Sequence, residues 1–133
     1  GEMTTGDWNE VISTNLTGSF LVARALAPGF ASPGAIVFVA SVSGLPGYRK
    51  YPGFSAYCAS KRAVLGLAEV LAIEAEAAGG RVYSVCPRGV DTAMFRATFP
   101  GAEADLSPRE VADRIVDLLD PSTAPVTGSV IEL

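Results

Sequence analysis

An uninterrupted apolar run at residues 35–40 constrains the fold of this chain more than any other segment. It reads AIVFVA, and no polar residue alternates with the apolar ones. Such a run predicts a strand that is buried on both faces, as in a parallel sheet. It ends in Ser41, and open α/β sheets bind ligands at the carboxyl ends of their strands. Ser41 is therefore a candidate site residue, and an ordinary strand-to-loop serine is the commoner alternative.

Helical and strand patterns alternate along the rest of the chain. We predict helices at residues 7–27, 54–78 and 108–120, and strands at 35–40, 81–86 and 129–133, with a loop at 87–106. The first helix is expected to stop at Pro28-Gly29, and to begin with Asp7 as N-cap and Glu10 in a capping box. The third has Ser107 as N-cap, Pro108 at its first position and Glu110 in the box. The alternation predicts an α/β fold with a parallel sheet, three strands and three main helices.

Tyr57 and Lys61 are the strongest candidates for chemistry. Residues four apart on a helix share a face, so the phenol and the ammonium are expected to lie side by side. Tyrosine ordinarily has a pKa of about 10, and a cation within about 4–6 Å favours the phenolate and lowers that pKa. The pair is thus a plausible general acid/base. A solvated helix face that carries these two residues is the alternative.

Asn15 is unusual because it lies in the middle of the first predicted helix. Asparagine is slightly unfavourable there and ordinarily faces solvent. Here it lies between the apolar residues Ile12 and Leu16, which favours a more buried role.

Together, in order, these segments resemble the short-chain dehydrogenase/reductase family. The segment from Asp7 to Phe30 is similar to the family's fourth helix, residues 34–44 to its fifth strand, and residues 57–87 to its fifth helix and sixth strand. The resemblance places Asn15, Ser41, Tyr57 and Lys61 at the four catalytic positions. It implies the C-terminal part of a Rossmann-like, doubly wound parallel sheet.

The resemblance also implies an activity, which is hydride transfer between NAD or NADP and a carbonyl/alcohol substrate. Tyr57 would exchange the hydroxyl proton, while Lys61 would lower its pKa and bond the nicotinamide ribose. Ser41 would bond the substrate oxygen and the Tyr57 oxygen, and Asn15 would hold a water that links Lys61 to solvent. Cofactor contacts are implied for Tyr57 and Lys61, and also for Pro87, Gly89, Val90 and Thr92.

Two local departures from the family pattern affect these assignments. The gap from Ser41 to Tyr57 is longer, and its extra residues fall at 48–53, a loop expected to border the substrate. We prefer Ser41 over Ser43 because Ser41 directly ends the strand. Arg88 occupies the place of a family glycine that lets the backbone approach the nicotinamide, and Gly89 follows it, so the turn is expected to be reshaped.

A larger departure is the lack of the family's opening glycine-rich strand–turn–helix, which holds the cofactor diphosphate. We therefore expect residues 1–133 to be a single partial domain, the C-terminal half of a Rossmann-fold oxidoreductase, active only in the full-length protein. The strand at 35–40 would then have an open edge. The alternative is a truncated, non-catalytic family member that acts as a binding or assembly module.

Composition narrows the remaining possibilities. A net charge of −4 disfavours a nucleic-acid partner. With no histidine, His-dependent nucleophile mechanisms lack their base, and two separated cysteines cannot close a zinc site, so no metal is expected. No apolar run is long enough to span a membrane, and a cytoplasmic protein is expected. Solvated surface is the expected place of Arg49, Lys50 and Arg62.

The two long helices, at 7–27 and 54–78, are expected to mediate assembly. They carry more apolar residues than one side of a sheet can bury. The family resemblance implies that these helices pair across a two-fold axis, giving a homodimer or homotetramer. The residues expected to form the contact are Phe20, Leu21, Leu67, Val70, Leu71 and Ile73.

Overall fold

The structure is a computed structural model that describes residues 2–26 and 34–133. The predicted helix stop at Pro28-Gly29 lies outside the described residues. In chain order the elements are α1 (Thr5–Ile12), a π-helical turn (Ser13–Thr17), α2 (Gly18–Leu26), β1 (Ala35–Val39), a 3₁₀ turn (Val42–Gly44), α3 (Ser55–Glu76), β2 (Arg81–Cys86), α4 (Ala93–Thr98), α5 (Pro108–Asp117) and β3 (Val130–Glu132). None of these helices is long and apolar enough to cross a membrane.

The three strands form one parallel sheet in the order β1-β2-β3, which confirms the predicted α/β fold. In its register Ala35 lies opposite Arg81, and Val39 lies opposite Val85. β2 is the central strand, and it is buried from Val82 to Cys86 with α3 packed against one of its faces. β1 pairs on one side only among the described residues, and Val39 is 49% exposed. Ile36 and Phe38 pack against one core cluster and Ala35 and Val37 against the other, so both faces of β1 are covered in part, while Val39 at its carboxyl end is not.

α3 covers the sheet through a stripe of small residues. Alanines and one serine recur every three or four positions, so one helical face stays flat and packs closely against β2. Val64 and Leu65 are each 2% exposed, and burial of such side chains stabilises by about 1.5–3 kcal/mol each. The buried positions of α3 are Ala56, Ser60, Val64, Leu65, Ala68, Ala72 and Ala75.

Capping boxes begin both α1 and α5, but the box of α1 is formed by different residues from those predicted. Ser107 and Glu110 form the predicted capping box of α5, although α5 ends at Asp117 rather than near 120. The first helix does not start at Asp7. Thr4 is its N-cap, its hydroxyl accepts from the Asp7 amide at 3.1 Å, and the Asp7 carboxylate completes the box by accepting from the Thr4 amide. Thr4 and Asp7 have the spacing of a capping box, and this pair forms the box instead of the predicted pair of Asp7 and Glu10.

The predicted loop at 87–106 contains the short helix α4. Thr92 is its N-cap, with its hydroxyl accepting from the Phe95 amide at 3.1 Å. Val90 forms a bridge with Leu106, so the segment folds back on itself. A helix of six residues is too short to show a periodic apolar pattern, which is why the sequence did not predict it.

Gly44 brings the 3₁₀ turn into contact with the backbone of α3. A Cβ at this position would lie 2.8 Å from the Lys61 carbonyl carbon and 2.9 Å from the Arg62 nitrogen. Both are backbone atoms within a helix, so they cannot move aside cheaply. Only glycine allows this approach, which sets the distance between Ser41's turn and the helix that carries Tyr57 and Lys61.

We predict that Gly44→Ala destabilises the protein by about 1–3 kcal/mol, the usual cost of overpacking a close contact. Gly66→Ala is the matched control, because Gly66 is an exposed residue of α3 with no neighbour near its would-be Cβ. That variant should gain up to about 1 kcal/mol from helix propensity. Urea unfolding checks both values, and equal stability of the two variants would contradict the proposed contact.

Candidate active site

Ser41 lies directly after β1, at the carboxyl end of the sheet. Two backbone bonds fix the strand end here, from the Ala40 amide to the Val85 carbonyl at 2.8 Å and from the Val42 amide to the Pro87 carbonyl at 3.2 Å. The Ser41 side chain is buried, and its oxygen accepts from the Ser43 amide at 3.1 Å. Ser41 therefore caps the 3₁₀ turn with a fixed hydroxyl.

Tyr57 lies in the first turn of α3, partly buried, and its phenol meets the Ser41 side chain. Burial raises the pKa of the Tyr57 phenol above its ordinary value, and the hydrogen-bonding interaction with Ser41 opposes that rise. The net direction is upward, because a partly dry environment disfavours the phenolate. The expected net lowering of this pKa is therefore not found, and the effect of Lys61 on it stays a prediction.

The ammonium of Lys61 lies away from the Tyr57 phenol oxygen. Its Nζ donates to the Val39 carbonyl at 2.9 Å and lies 5.7 Å from the centroid of the Tyr57 ring. The ammonium thus lies beside the ring and ties α3 to the end of β1, and it forms no hydrogen bond to the phenol oxygen. Burial also lowers the pKa of Lys61, since desolvation disfavours the charged form.

Asn15 lies in the π-helical turn and contacts α3. Its Nδ2 donates to the Ser60 hydroxyl at 3.0 Å, and that hydroxyl donates to the Tyr57 carbonyl at 2.8 Å. Ser60 is fully buried, so this chain of bonds fixes the turn of α3 that carries Tyr57. Single π turns within α-helices frequently occur at functional sites. No direct hydrogen bond joins Asn15 to Lys61 among the described residues, and the predicted water relay stays a prediction.

The residues predicted to contact the cofactor follow β2, but their groups are largely engaged within the chain. The Gly89 amide donates to the Asp105 carboxylate at 2.9 Å, and a Cβ on Gly89 would lie 2.7 Å from the Phe95 ring. Thr92 caps α4 and Pro87 bonds the serine turn, as described above. The Arg88 side chain is exposed, and its guanidinium carbon lies 5.8 Å from the centroid of the Tyr48 ring. The cofactor roles of Pro87, Gly89, Val90 and Thr92 therefore stay predictions.

Sequence reasoning missed an aromatic cluster beside Tyr57. Phe54 meets the Tyr57 ring edge-on at 5.9 Å between centroids, and the Tyr51 and Phe99 centroids are 5.1 Å apart. Tyr51 and Phe54 precede α3, whereas Phe95 and Phe99 belong to the segment around α4. The cluster therefore joins the inserted loop to the segment that follows β2. The only sequence signal was the number of rings at 48–57 and 95–99.

The hydrogen bonds of Lys50 were also not predicted. This residue lies on the exposed surface as expected, but its ammonium also donates to the Ser43 carbonyl at 2.7 Å and the Leu45 carbonyl at 2.6 Å. The neighbouring Arg49 instead lies over Tyr51, with 5.0 Å between its guanidinium carbon and the ring centroid. Nothing local in the sequence distinguishes the two residues, because the carbonyls come from a turn that folds next to the loop.

Neither a metal site nor a deep cavity competes with this arrangement in the described part of the chain. No group of three or more acidic or cysteine side chains is placed to hold a metal ion there. A shallow depression is lined by Leu106, Glu110, Asp113, Arg114 and Leu133, and none of the candidate site side chains lines it. The chemistry-bearing groups lie instead at the carboxyl edge of β1.

Comparison with known proteins decides the family. The family model described as short chain dehydrogenase matches residues 1–103, which include all of Asn15, Ser41, Tyr57 and Lys61. The chain belongs to the short chain dehydrogenase family.

Individual relatives of this short chain dehydrogenase support the assignment. It is 33% identical to an inactive 2-(S)-hydroxypropyl-CoM dehydrogenase 2 of Xanthobacter autotrophicus, covering 92% of this chain and 60% of that protein. It is 33% identical to an NAD-dependent oxidoreductase of Mycobacterium tuberculosis, covering 98% of this chain and 54% of that protein. The chain thus spans little more than half the length of these relatives. The solved structure of BdcA in complex with NADPH matches 99% of this chain and 57% of its own, with 26% identity and a TM-score of 0.88.

The lowered pKa of Lys61 gives a stability prediction for this short chain dehydrogenase. The folded state holds the Lys61 proton less tightly than the unfolded state, so stability rises with pH between the folded value and the ordinary value of about 10.4. Relative to Lys61→Met, the unmodified protein should gain stability as pH rises toward the ordinary lysine value of about 10.4. Chemical denaturation across that range measures the difference. Arg62→Met is the control, since its guanidinium does not titrate there, and a flat Lys61→Met difference would mean that the ammonium is fully solvated.

Proposed function

We propose that this chain carries the catalytic half of an NAD(P)-dependent oxidoreductase that transfers a hydride between a nicotinamide and a carbonyl/alcohol substrate. The observation that carries the proposal is the convergence of Ser41, Tyr57 and Lys61 at the carboxyl end of β1. Ser41 interacts with the Tyr57 phenol, and Lys61 bonds the carbonyl of Val39 two residues before Ser41. A proton donor, a hydroxyl donor and a cation thus meet at the place where such sheets bind ligands.

Tyr57 is the proton donor in this proposal. Because its pKa is raised, the phenol is protonated at neutral pH and can donate to a developing alkoxide. Carbonyl reduction is the direction that this protonation state supports. Oxidation of an alcohol requires Tyr57 to be ionised first, so activity in that direction should increase with pH.

Ser41 would orient the substrate oxygen. Its own oxygen already accepts from the Ser43 amide, which fixes the hydroxyl. Its single hydrogen is directed at the Tyr57 phenol in the free chain and would be shared with the substrate oxygen once substrate binds. A donor held in place before the substrate arrives needs no rearrangement when negative charge develops on the oxygen.

The residues present fit a nicotinamide dinucleotide. Lys61 has three donor hydrogens, and within the described residues one of them bonds Val39, so two can hold ribose hydroxyls beside Tyr57. The segment from Pro87 to Thr92 follows the adjacent strand β2 and would border the nicotinamide. The bound cofactor supplies the hydride, while the protein contributes binding, orientation and the proton. We propose a further half that holds the diphosphate in the complete oxidoreductase.

We predict that Tyr57→Phe lowers turnover by about 10²–10⁴-fold, the usual contribution of a general acid/base. The ring contact with Phe54 is kept, so folding and dinucleotide affinity should change little. Tyr51→Phe is the matched control, because it also removes one hydroxyl from the aromatic cluster. Turnover of a panel of ketones and alcohols is measured in the complete protein, together with dinucleotide titration. Full turnover in Tyr57→Phe would remove Tyr57 from the mechanism.

A second candidate function is a non-catalytic binding or assembly module. Arg88 in place of the family glycine favours it, as does the relative that is named inactive. The same measurements separate the two functions. A complete protein that binds dinucleotide but turns over no member of the panel would favour the module.

We propose that the protein assembles as a homodimer or homotetramer, and the exposed apolar faces of its helices support this. We also propose a cytoplasmic location. Phe20 and Leu21 are 43% and 44% exposed, while Val70 and Ile73 are 55% and 73% exposed. Leu67 and Leu71 were expected in the same contact, but they pack partly buried against the core and are available only in part.

We predict that Ile73→Glu dissociates this assembly, because a carboxylate would be buried unpaired at the interface. Val126→Glu is the control, since Val126 is 78% exposed and lies outside both helices. Sedimentation velocity at micromolar concentration measures the species present. Identical monomers of the unmodified protein and of Ile73→Glu would argue against assembly through this face.

A further inference from the structure

The inserted loop at 48–53 sends one side chain onto the turn that Ser41 caps. The Lys50 ammonium donates to the Leu45 carbonyl at 2.6 Å, the Ser43 carbonyl at 2.7 Å and, more weakly, the Val42 carbonyl at 3.5 Å. An ammonium has three donor hydrogens, so these carbonyls account for all of them. Lys50 is an exposed residue, and its ammonium is bonded to the backbone of the turn.

These carbonyls need such a partner. The Val42 carbonyl accepts from the Leu45 amide at 3.0 Å, but the carbonyls of Ser43 and Leu45 have no backbone partner among the described residues. Free carbonyls at the end of a helical turn carry partial negative charge, and a cation there stabilises the turn. No acidic side chain forms an ion pair with Lys50 in the described part of the chain, so the carbonyl dipoles are what balance its charge.

Lys50 completes the fixation of the serine turn. One side of the turn rests on α3 through Gly44, and a second side is bonded through the Val42 amide to the Pro87 carbonyl. Both contacts leave the carbonyl side open, and in the described part of the chain Lys50 is the side chain that closes it. With that side open, the turn could rotate about the other two contacts, and the Ser41 hydroxyl would move relative to Tyr57.

We propose that Lys50 is a positioning residue, which holds the 42–45 turn so that the Ser41 side chain stays aligned with the Tyr57 phenol. The inserted loop is then part of the active-site support as well as a border of the substrate site. This inference rests on the proposed function, since alignment matters only if Ser41 and Tyr57 act together. Arg49 is excluded from the role because its guanidinium lies over the Tyr51 ring.

The test follows Tyr57 itself and needs no substrate. The protein is labelled with ¹³Cζ-tyrosine, its four tyrosines are assigned by single Tyr→Phe changes, and the Tyr57 signal is titrated with pH. Ser41 holds the pKa of Tyr57 down against the effect of burial, so loss of alignment should raise it. We expect Lys50→Met to shift the titration upward, in the same direction as Ser41→Ala. Arg49→Met, the adjacent control, should leave it unchanged, and Lys50→Arg should largely restore it.

A double variant separates alignment from a direct effect of the lysine charge. If Lys50 acts through Ser41, then Lys50→Met adds no further shift in a Ser41→Ala background. A further upward shift there, or no shift from Lys50→Met alone, overturns the proposal. Lys50→Gln, which keeps a shorter donor, gives the same comparison if Lys50→Met fails to fold.

Turnover gives an independent readout in the complete protein. Lys50→Met should lower kcat by about 10–10²-fold with little change in KM, as for a small misplacement of a reacting group. A Lys50→Met variant with a lower free energy of unfolding but an unchanged kcat would show that Lys50 has a structural role only, and it would overturn the proposal. Absence of turnover in the unmodified protein would contradict the proposed function, whereas the tyrosine titration would still test the alignment.

Discussion

The contact between Gly44 and the backbone of α3 at Lys61 is the constraint on which the candidate site depends. A strand, a 3₁₀ turn and a helix converge there without an intervening side chain. Because the turn lies this close, Ser41 can reach Tyr57 one helical turn before Lys61, and the Lys61 side chain can fold back onto the carbonyl of Val39. The long stripe of small residues on α3 serves the same end, since larger side chains would lift the helix from the sheet.

Burial gives the site its electrostatic character. Desolvation moves the pKa of Tyr57 upward and that of Lys61 downward, so both groups are biased toward their neutral forms. The two effects have one cause, which is the partly dry edge between β1, the serine turn and α3. Among the described residues, the Ser41 interaction is the influence on the Tyr57 pKa that favours the phenolate. Ser41 therefore has two consequences in this geometry, because it orients a hydroxyl and also keeps the phenol from becoming too weak an acid.

The sequence predicted the parts of this structure that depend on long or chemically specific patterns. The parallel sheet followed from apolar runs, and the start of α5 followed from Ser107, Pro108 and Glu110. Ser41 follows a strand and Tyr57 lies in the first turn of a helix, and the side chains of these two residues interact in the structure. The π-helical turn at Asn15 was not predicted, since a single extra residue per turn leaves no periodic signature. The direction of the Tyr57 pKa was predicted wrongly because spacing on a helix indicates proximity but not burial.

The inserted loop shows most clearly why a site cannot be assembled from local patterns. Lys50 and Tyr51 are adjacent in the sequence, yet Lys50 bonds the turn after Ser41 while Tyr51 packs its ring against Phe99 beyond α4. Phe54, three residues on, meets the ring of Tyr57. One short segment thus contacts the hydroxyl donor's turn, the proton donor's ring and the segment after β2. The positions of these three elements therefore depend on one another through contacts that no single stretch of sequence contains.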